Sequence, residues 1–217
     1  MPLFYQQDIH GIGRLGIWHI REEETFFLEK VPVQREITHP HKRLQHLAGR
    51  YLLQHLYPGF PYDLIRIADT RKPYLKDDAF HFSISHSGDL AAALVSPQVR
   101  VGVDVEQAAP RIGKVLDKFL HPDERQWLDS VQGEHFREYP LAGNFGMATL
   151  LWSVKEAIFK WFGDGAVDFS EHIRIDGFCG PDLLDCRFTK NGSIPLKVSY
   201  RYFGDICLSW VHADILS

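Results

Sequence analysis

The stretch Val101-Gly102-Val103-Asp104-Val105-Glu106 carries the alternation that decides the fold around it. Side chains on a β-strand point to its two faces in turn, so the valines predict one buried face. Asp104 and Glu106 then share the opposite face, about 7 Å apart, where like charges are unfavourable unless a cation or a basic group lies between them. The spacing suits Mg²⁺, which binds a few carboxylate oxygens, and it also suits an exposed strand edge.

A β-hairpin is predicted immediately before this strand. Apolar and polar residues alternate from 80 to 85, Gly88-Asp89 turns the chain, and residues 90–95 return as a second strand. His86 near the turn is either an ordinary turn histidine or a ligand-binding group. A serine hydrolase is excluded, because Ser85 and His86 are neighbours that point to opposite strand faces and the chain has no Gly-x-Ser-x-Gly elbow.

An amphipathic helix is predicted further upstream, over residues 41–56. Its leucines, an alanine and a tyrosine fall at helical spacing and form one apolar stripe. Lys42, His46 and Arg50 lie four residues apart on another face, with Arg43 beside them. This basic face is either a solvated surface or a cationic strip that binds phosphates.

A second long helix is predicted over residues 149–162, ending at Gly163-Asp164-Gly165. Glu156 and Lys160 lie opposite its main apolar face. On a surface helix they would be an ordinary i,i+4 ion pair. Bulky aromatic residues flank them, however, which favours a helix buried on two sides with this pair in or beside a cleft.

The two halves of the chain share an organisation, because each has a long helix followed by a β-hairpin. The segments are 41–56 and 80–95 in the first half, and 149–162 and 198–211 in the second. We therefore expect an α+β fold of two similar lobes related by a pseudo-twofold, each a small antiparallel sheet packed with a long helix. The predicted division is 1–100 and 101–217, with the site in the cleft between the lobes.

Composition limits the classes of function. The net charge of the 217 residues is −4 and the basic residues are dispersed, which argues against a nucleic-acid binder. The three cysteines fit no zinc spacing and cannot all pair, so a reducing, cytoplasmic setting is expected. The first residues lack the features of a signal peptide, and no stretch approaches the roughly 20 apolar residues that span a bilayer, so no membrane partner is expected.

With these motifs in place, the chain resembles the 4′-phosphopantetheinyl transferases of the larger, pseudo-dimeric type that activates peptide synthetases such as surfactin synthetase. The matching stretches are 71–74, 82–87, 102–106, 118–124 and 152–160. They follow the family's order and roughly its spacing.

The resemblance implies a reaction. Coenzyme A binds between the lobes, and a serine hydroxyl of an apo acyl or peptidyl carrier protein attacks the β-phosphate of its pyrophosphate. Phosphopantetheine moves to the serine, and adenosine 3′,5′-bisphosphate leaves. Mg²⁺ is the expected cofactor, because this transfer depends on charge neutralisation and positioning.

The resemblance also implies roles for residues. The expected magnesium ligands are Asp104, Glu106 and Glu156; the expected catalytic residues are Glu124, Lys160 and Glu156; the expected coenzyme A contacts are Arg43, Arg50, Lys72, Ser85, His86 and Lys160. His86 matches a residue that contacts the 3′-phosphate, and Glu124 matches a candidate general base whose place Asp123 could take. Lys30 and Lys42 compete with Arg43 and Arg50 for the phosphates of coenzyme A.

Two other functions remain open at this stage. One is a binding module that holds coenzyme A or a carrier protein without turnover. The other is a metal-dependent phosphohydrolase, which the absence of a His- and Asp-rich dinuclear ligand set disfavours. We expect a monomer whose choice of carrier protein depends on loops such as 132–144.

Overall fold

The structure is a computed structural model that describes residues 2–31, 36–70, 72–77, 79–131 and 145–214. Its main elements are two antiparallel sheets, each packed with one long helix. The predicted α+β fold of sheets covered by long helices is therefore confirmed. The predicted loop over 132–144 lies outside the described residues.

The first sheet contains four strands from the first half of the chain. They are β1 (Leu3–Ile9), β2 (Gly13–His19), β5 (His81–Ser87) and β6 (Leu90–Ser96), in the spatial order β1-β2-β6-β5. Between β2 and β5 the chain forms α1 (Glu24–Leu28), α2 (Pro40–Leu56) and the small hairpin of β3 (Ile65–Ile67) and β4 (Pro73–Leu75). The predicted hairpin before residue 100 is the pair β5–β6.

Helix α2 covers this sheet with the predicted apolar stripe. Pro40 occupies its first turn, where the missing N–H costs no hydrogen bond. Leu47, Leu52 and Leu56 are completely buried against β2 and β6. Burying each such side chain contributes about 1.5–3 kcal/mol, so packing rather than helix propensity holds α2 in place.

The second sheet contains five strands from the second half. They are β7 (Val101–Gln107), β8 (Ile173–Gly180), β9 (Leu183–Phe188), β10 (Ile194–Phe203) and β11 (Ile206–His212), in the spatial order β7-β11-β10-β9-β8. The helices of this half are α3 (Pro110–Gly113), α4 (Pro122–Val131), α5 (Phe145–Phe162) and α6 (Phe169–His172). The closing hairpin predicted over 198–211 is β10–β11.

The two sheets pack against each other through apolar faces. Val101, Val103 and Val105 of β7 are buried in a cluster with Leu15 and Ile17 of β2. The valine face predicted from the sequence is therefore the seam between the sheets. The opposite face of β7 packs against α5.

Gly102 decides how closely α5 approaches β7. A methyl group at this position would collide with the backbone carbonyl of Ala157 and come within 2.7 Å of the Trp161 backbone nitrogen. The helix can therefore lie directly on the strand only because this residue has no side chain. Contact at this point brings the last turns of α5 beside the polar face of β7.

The segment from Ile112 to Phe119 does not form one continuous helix. The chain forms the single turn α3 and a separate 3₁₀ turn at Leu116–Lys118. The backbone N–H groups of Val115, Lys118 and Phe119 each bond the carbonyl three residues earlier. This tighter winding buries Ile112 and Phe119 in the core around α5, so tertiary packing overrides the local helical pattern.

No helix in the described residues is long and apolar enough to cross a bilayer.

Candidate active site

Strands β5 and β7 are the facing edges of the two sheets, and serine side chains join them. The Ser83 hydroxyl accepts a hydrogen bond from the Val103 backbone N–H at 3.1 Å, and Ser87 accepts one from Gln107 at 3.4 Å. The strands run in the same direction, because successive serines of β5 meet successive residues of β7. This arrangement satisfies edge N–H groups that would otherwise be buried without partners.

A cluster of polar groups from three elements lies at this junction. The Lys160 ammonium of α5 donates to Asp104 Oδ1 of β7 at 2.6 Å and to Ser85 Oγ of β5 at 2.8 Å. Ser85 donates in turn to the same Asp104 oxygen at 2.7 Å. Glu156 Oε2 lies 3.9 Å from the Lys160 nitrogen. The structure therefore brings Ser85, Asp104, Glu156 and Lys160 together.

Glu106 is the next residue on the same face of β7, and both of its carboxylate oxygens are held. The Ser87 hydroxyl donates to Oε2 at 2.9 Å, and the Trp152 indole N–H donates to Oε1 at 3.1 Å. Glu106 is thus positioned by one group from the first sheet and one from α5.

The cluster contains three carboxylates, those of Asp104, Glu106 and Glu156, and the single ammonium of Lys160. Burial, followed by repulsion from Asp104, raises the pKa of Glu106 despite the Ser87 and Trp152 hydrogen bonds. Burial is also the main reason that the pKa of Glu156 rises to about 7, with Lys160 opposing it and the two β7 carboxylates adding to it. Each shift means that burial and the neighbouring carboxylates disfavour the ionised form more than its partners stabilise it.

The carboxylate oxygens of the cluster suit a hard divalent cation, although they are not preassembled as a complete metal site. Within the described residues no three His, Cys, Asp or Glu side chains are grouped as a metal site. Asp104 Oδ2, however, is buried and has no hydrogen-bond partner in that part of the chain. An unpaired buried oxygen beside two carboxylates with raised pKa values is the chemistry that Mg²⁺ prefers.

A cationic hollow of about 380 Å³ lies on the other face of β5. Lys42, His46 and Arg50 of α2 line it together with His86, and none of its lining residues is acidic among those that the structure describes. The basic strip predicted on this helix therefore faces a cavity. Desolvation of the His86 ring, and then the Lys160 charge, lower the pKa of His86, while Asp104 opposes the shift.

The other three basic candidates lie elsewhere, and one of them, Lys30, donates to the Phe26 carbonyl at 3.1 Å. Arg43 donates to Glu24 at 2.8 Å and to the Ile37 carbonyl at 3.0 Å, and it does not line the hollow. Lys72 donates to the Trp161 carbonyl at 3.3 Å near the end of α5. It lines a cavity of about 210 Å³ that also contains Lys160 and shares Pro73 and Ile84 with the hollow. Burial, and then Arg100, lower the pKa of Lys72 to about 8.

The structure does not bring Glu124 into the cluster. Its Oε2 accepts from the Lys155 ammonium at 2.6 Å and from the His121 backbone N–H at 2.7 Å, and its Oε1 accepts from the Ile175 N–H at 2.6 Å. The carboxylate is 2% exposed. Asp123, its possible substitute, is exposed and pairs with Arg174 and His121.

Lys155 was missed by the sequence interpretation, although a signal was present. It lies four residues after Leu151 and three before Ile158, so it interrupts an apolar stripe of α5. A charged residue in such a stripe indicates a buried ion pair. The alternation of Ser83, Ser85 and Ser87 was a second signal, since it placed three hydroxyls on one strand face.

Comparisons with known proteins match the part of the chain that contains this cluster. Residues 100–203 match the model of the 4′-phosphopantetheinyl transferase superfamily. Enterobactin synthase component D of Salmonella austin is 35% identical over 124 residues, which is 57% of this chain and 49% of that protein. The 4′-phosphopantetheinyl transferase psf-1 of Bacillus pumilus is 32% identical over 126 residues, 55% of this chain and 50% of its own length.

The likeness extends beyond bacteria. The L-aminoadipate-semialdehyde dehydrogenase-phosphopantetheinyl transferase of Mus musculus is 31% identical over 143 residues, covering 60% of this chain and 46% of that protein. The chain spans about half the length of the curated relatives it matches. The matched family region includes β7 and α5, which carry the acidic cluster, so the similarity to the 4′-phosphopantetheinyl transferase superfamily lies in the part of the chain that carries the site.

Proposed function

We propose that the protein transfers 4′-phosphopantetheine from coenzyme A to a serine of an apo acyl or peptidyl carrier protein. The serine oxygen forms a bond to the β-phosphorus, and the bond from that phosphorus to the bridging oxygen breaks. The serine proton is released, and adenosine 3′,5′-bisphosphate leaves. The superfamily match and the relatives named as phosphopantetheinyl transferases support this reaction class.

We assign Asp104, Glu106 and Glu156 as the residues that hold Mg²⁺. Asp104 and Glu156 share the Lys160 ammonium, and Asp104 keeps an unpaired buried oxygen. When bound, the ion would neutralise the pyrophosphate and stabilise the leaving oxygen. These residues come from a strand and a distant helix, so the fold must be intact for them to act together.

In this proposal, Lys160 and Glu156 are the catalytic groups of the polar cluster. The ammonium of Lys160 adds positive charge where the leaving phosphate develops its negative charge, or protonates that oxygen. Glu156 beside it is placed to accept the serine proton. Glu124 stays a predicted general base, but its burial and its three hydrogen bonds support a structural role instead.

The proposed binding site for coenzyme A combines the cationic hollow with the neighbouring cavity of about 210 Å³. Arg50, Lys42 and His86 suit the phosphate at the 3′ position, and Lys72, Ser85 and Lys160 extend toward the pyrophosphate. Arg43 stays a predicted contact, one that would have to leave Glu24 to reach a phosphate.

Several finer points belong to the same proposal. Residues 1–100 would form a lobe that contacts the adenine and phosphates of coenzyme A, and residues 101–217 a lobe that carries the magnesium and catalytic groups. The protein would be the larger, pseudo-dimeric type, acting as a cytoplasmic monomer without nucleic-acid or membrane partners. The three cysteines are free thiols in the structure, which suits a reducing compartment.

One observation carries the proposal: Asp104, Glu156 and Lys160 meet between β7 and α5, and the cavity that contains Lys160 adjoins the cationic hollow. The test is incubation with coenzyme A, Mg²⁺ and a panel of apo carrier proteins, read by intact-protein mass. We expect one carrier to gain a phosphopantetheine group. Tight binding of coenzyme A in calorimetry with no mass gain on any carrier would favour the binding module.

A further inference from the structure

Two side chains with no role in the proposed reaction control the orientation of Glu106. Ser87 reaches its Oε2 from β5, and Trp152 reaches its Oε1 from α5. The carboxylate of Asp104, by contrast, is engaged through Oδ1 while Oδ2 has no partner in the described part of the chain. Unlike Asp104, Glu106 is therefore held through both of its carboxylate oxygens.

The two donors are themselves fixed. The Trp152 ring packs against Phe119 and Phe169, with ring centroids 5.2 and 5.6 Å away. Ser87 is buried at the end of β5, and its oxygen also accepts from the Gln107 backbone N–H. Neither donor can rotate away without losing packing or a hydrogen bond, so both impose one orientation on the carboxylate.

Each oxygen of Glu106 still has capacity to bind a cation. A carboxylate oxygen has two lone-pair directions, and each one here accepts a single hydrogen bond from a side chain. Because both donors are neutral, neither compensates the negative charge of the ionised carboxylate, and that charge stays available to a cation. A partner that held it as an ion pair, as Lys155 holds Glu124, would compete with a cation for that charge.

We propose that Ser87 and Trp152 are positioning residues that hold the Glu106 carboxylate in the orientation in which it binds the divalent ion. The inference rests on the proposed function, since it assumes that Glu106 is a magnesium ligand. Hydrogen bonds that orient a metal ligand typically change metal affinity by about 10–100-fold. The effect should therefore be visible in metal binding itself, independently of turnover.

The experiment is a Mn²⁺ titration of the full chain followed by electron paramagnetic resonance, with Mn²⁺ as the probe for the Mg²⁺ site. We expect Ser87→Ala and Trp152→Phe each to weaken Mn²⁺ binding by about tenfold or more. Ser87→Thr keeps the hydroxyl and should restore most of the affinity. Ser83→Ala is the matched control, because Ser83 lies on the same strand face but bonds a backbone N–H and no carboxylate.

A fluorescence measurement on the wild-type protein tests the inference even if the variants fail to fold. Since the Trp152 indole bonds Glu106, Mg²⁺ should change the emission of the wild-type protein, and Trp152→Phe should remove that change. Wild-type affinity in Ser87→Ala and Trp152→Phe, or an equal loss in Ser83→Ala, would overturn the inference. If the wild-type chain binds no Mn²⁺, the magnesium assignment itself is overturned, and the inference with it.

Discussion

Helix α5 carries two lysine–carboxylate pairs, Lys155 with Glu124 and Lys160 with Asp104, and their surroundings differ. Both pairs are 2.6 Å long. Lys155 and Glu124 are 0% and 2% exposed, whereas the Lys160 side chain is 24% exposed at the cleft. The distance alone would make them equivalent, so the difference lies in how the remaining hydrogen-bonding capacity is used.

We call the Lys155 pair closed, because its hydrogen-bonding groups are satisfied within the protein. The ammonium donates to Glu124 and to the carbonyls of Phe169 and Ile173 at 2.9 and 2.7 Å, which uses all three of its protons. Burial lowers the pKa of Lys155, and the attraction of Glu124 opposes that shift. The pair ties α5 to the start of α4 and to β8, and it offers nothing to a ligand.

We call the Lys160 pair open, because part of its hydrogen-bonding capacity is unused within the described residues. Its ammonium is shared by Asp104, Ser85 and Glu156, and Asp104 Oδ2 is left without a partner among the described residues. A buried group without partners costs free energy unless something binds it, so such a site is a candidate for function. A satisfied ion pair thus fixes the helix, whereas an incompletely satisfied pair leaves polar groups available to bind a ligand.

The largest expected effect is on activity, from neutralising the open site. Asp104→Asn and Glu156→Gln should each lower carrier modification by on the order of a thousandfold, because a metal ion contributes several kcal/mol to charge stabilisation. Their melting temperatures should stay close to that of the wild type. Intact-protein mass over time and calorimetric unfolding measure the two quantities. A normal transfer rate in either variant would show that its carboxylate is not a ligand.

Substitutions in the closed pair should lower stability, whereas those in the open site should lower activity. Lys155→Met leaves Glu124 buried and unpaired, and breaking a buried pair costs about 3–5 kcal/mol. Denaturant unfolding should show that loss, and the double variant Lys155→Met with Glu124→Gln should recover part of it. If Glu124→Gln alone abolished transfer while retaining wild-type stability, the general-base prediction would be supported and the structural role overturned.

Gly102→Ala should affect both pairs, because it separates α5 from β7. Overpacking of this kind costs about 1–3 kcal/mol, and it moves Glu156 and Lys160 away from Asp104, so stability and transfer should fall together. Gly180→Ala is the control, since its added methyl would meet Leu183 Cβ at an ordinary 3.5 Å. Transfer unaffected by Gly102→Ala would mean that the close approach does not position the site.

The smallest effect concerns Lys72 and pH. Its pKa of about 8 means that the amine is charged below pH 8 and neutral above it. A charge-assisted hydrogen bond contributes about 1.5–3 kcal/mol, so affinity for coenzyme A should fall about tenfold between pH 7 and 9.5. Lys72→Arg, which stays charged, should remove this dependence in calorimetric titrations. A wild-type affinity that is flat over this range would exclude Lys72 as a phosphate contact.

Much of the acidic site could be predicted from local pattern. The period-2 alternation of β7 placed Asp104 and Glu106 on one face, and the helical period of α5 set Glu156 and Lys160 apart from its main apolar stripe. The basic strip of α2 was predicted on the same grounds, and three of its four members line the hollow. Arg43 could not be separated from them, because its ion pair with Glu24 joins residues distant in the chain.

By itself, the sequence determined the long helices, the hairpins and the side of each element on which the charged groups lie, because these depend on repeats only a few residues long. Only the tertiary structure decided that β5 meets β7 through serine side chains, that α5 lies against Gly102, and that Lys155 is buried while Lys160 is partly exposed. Those outcomes depend on burial and on partners far away in the chain. The free energy of a charged group is set by its neighbours in space, and a local pattern does not specify them.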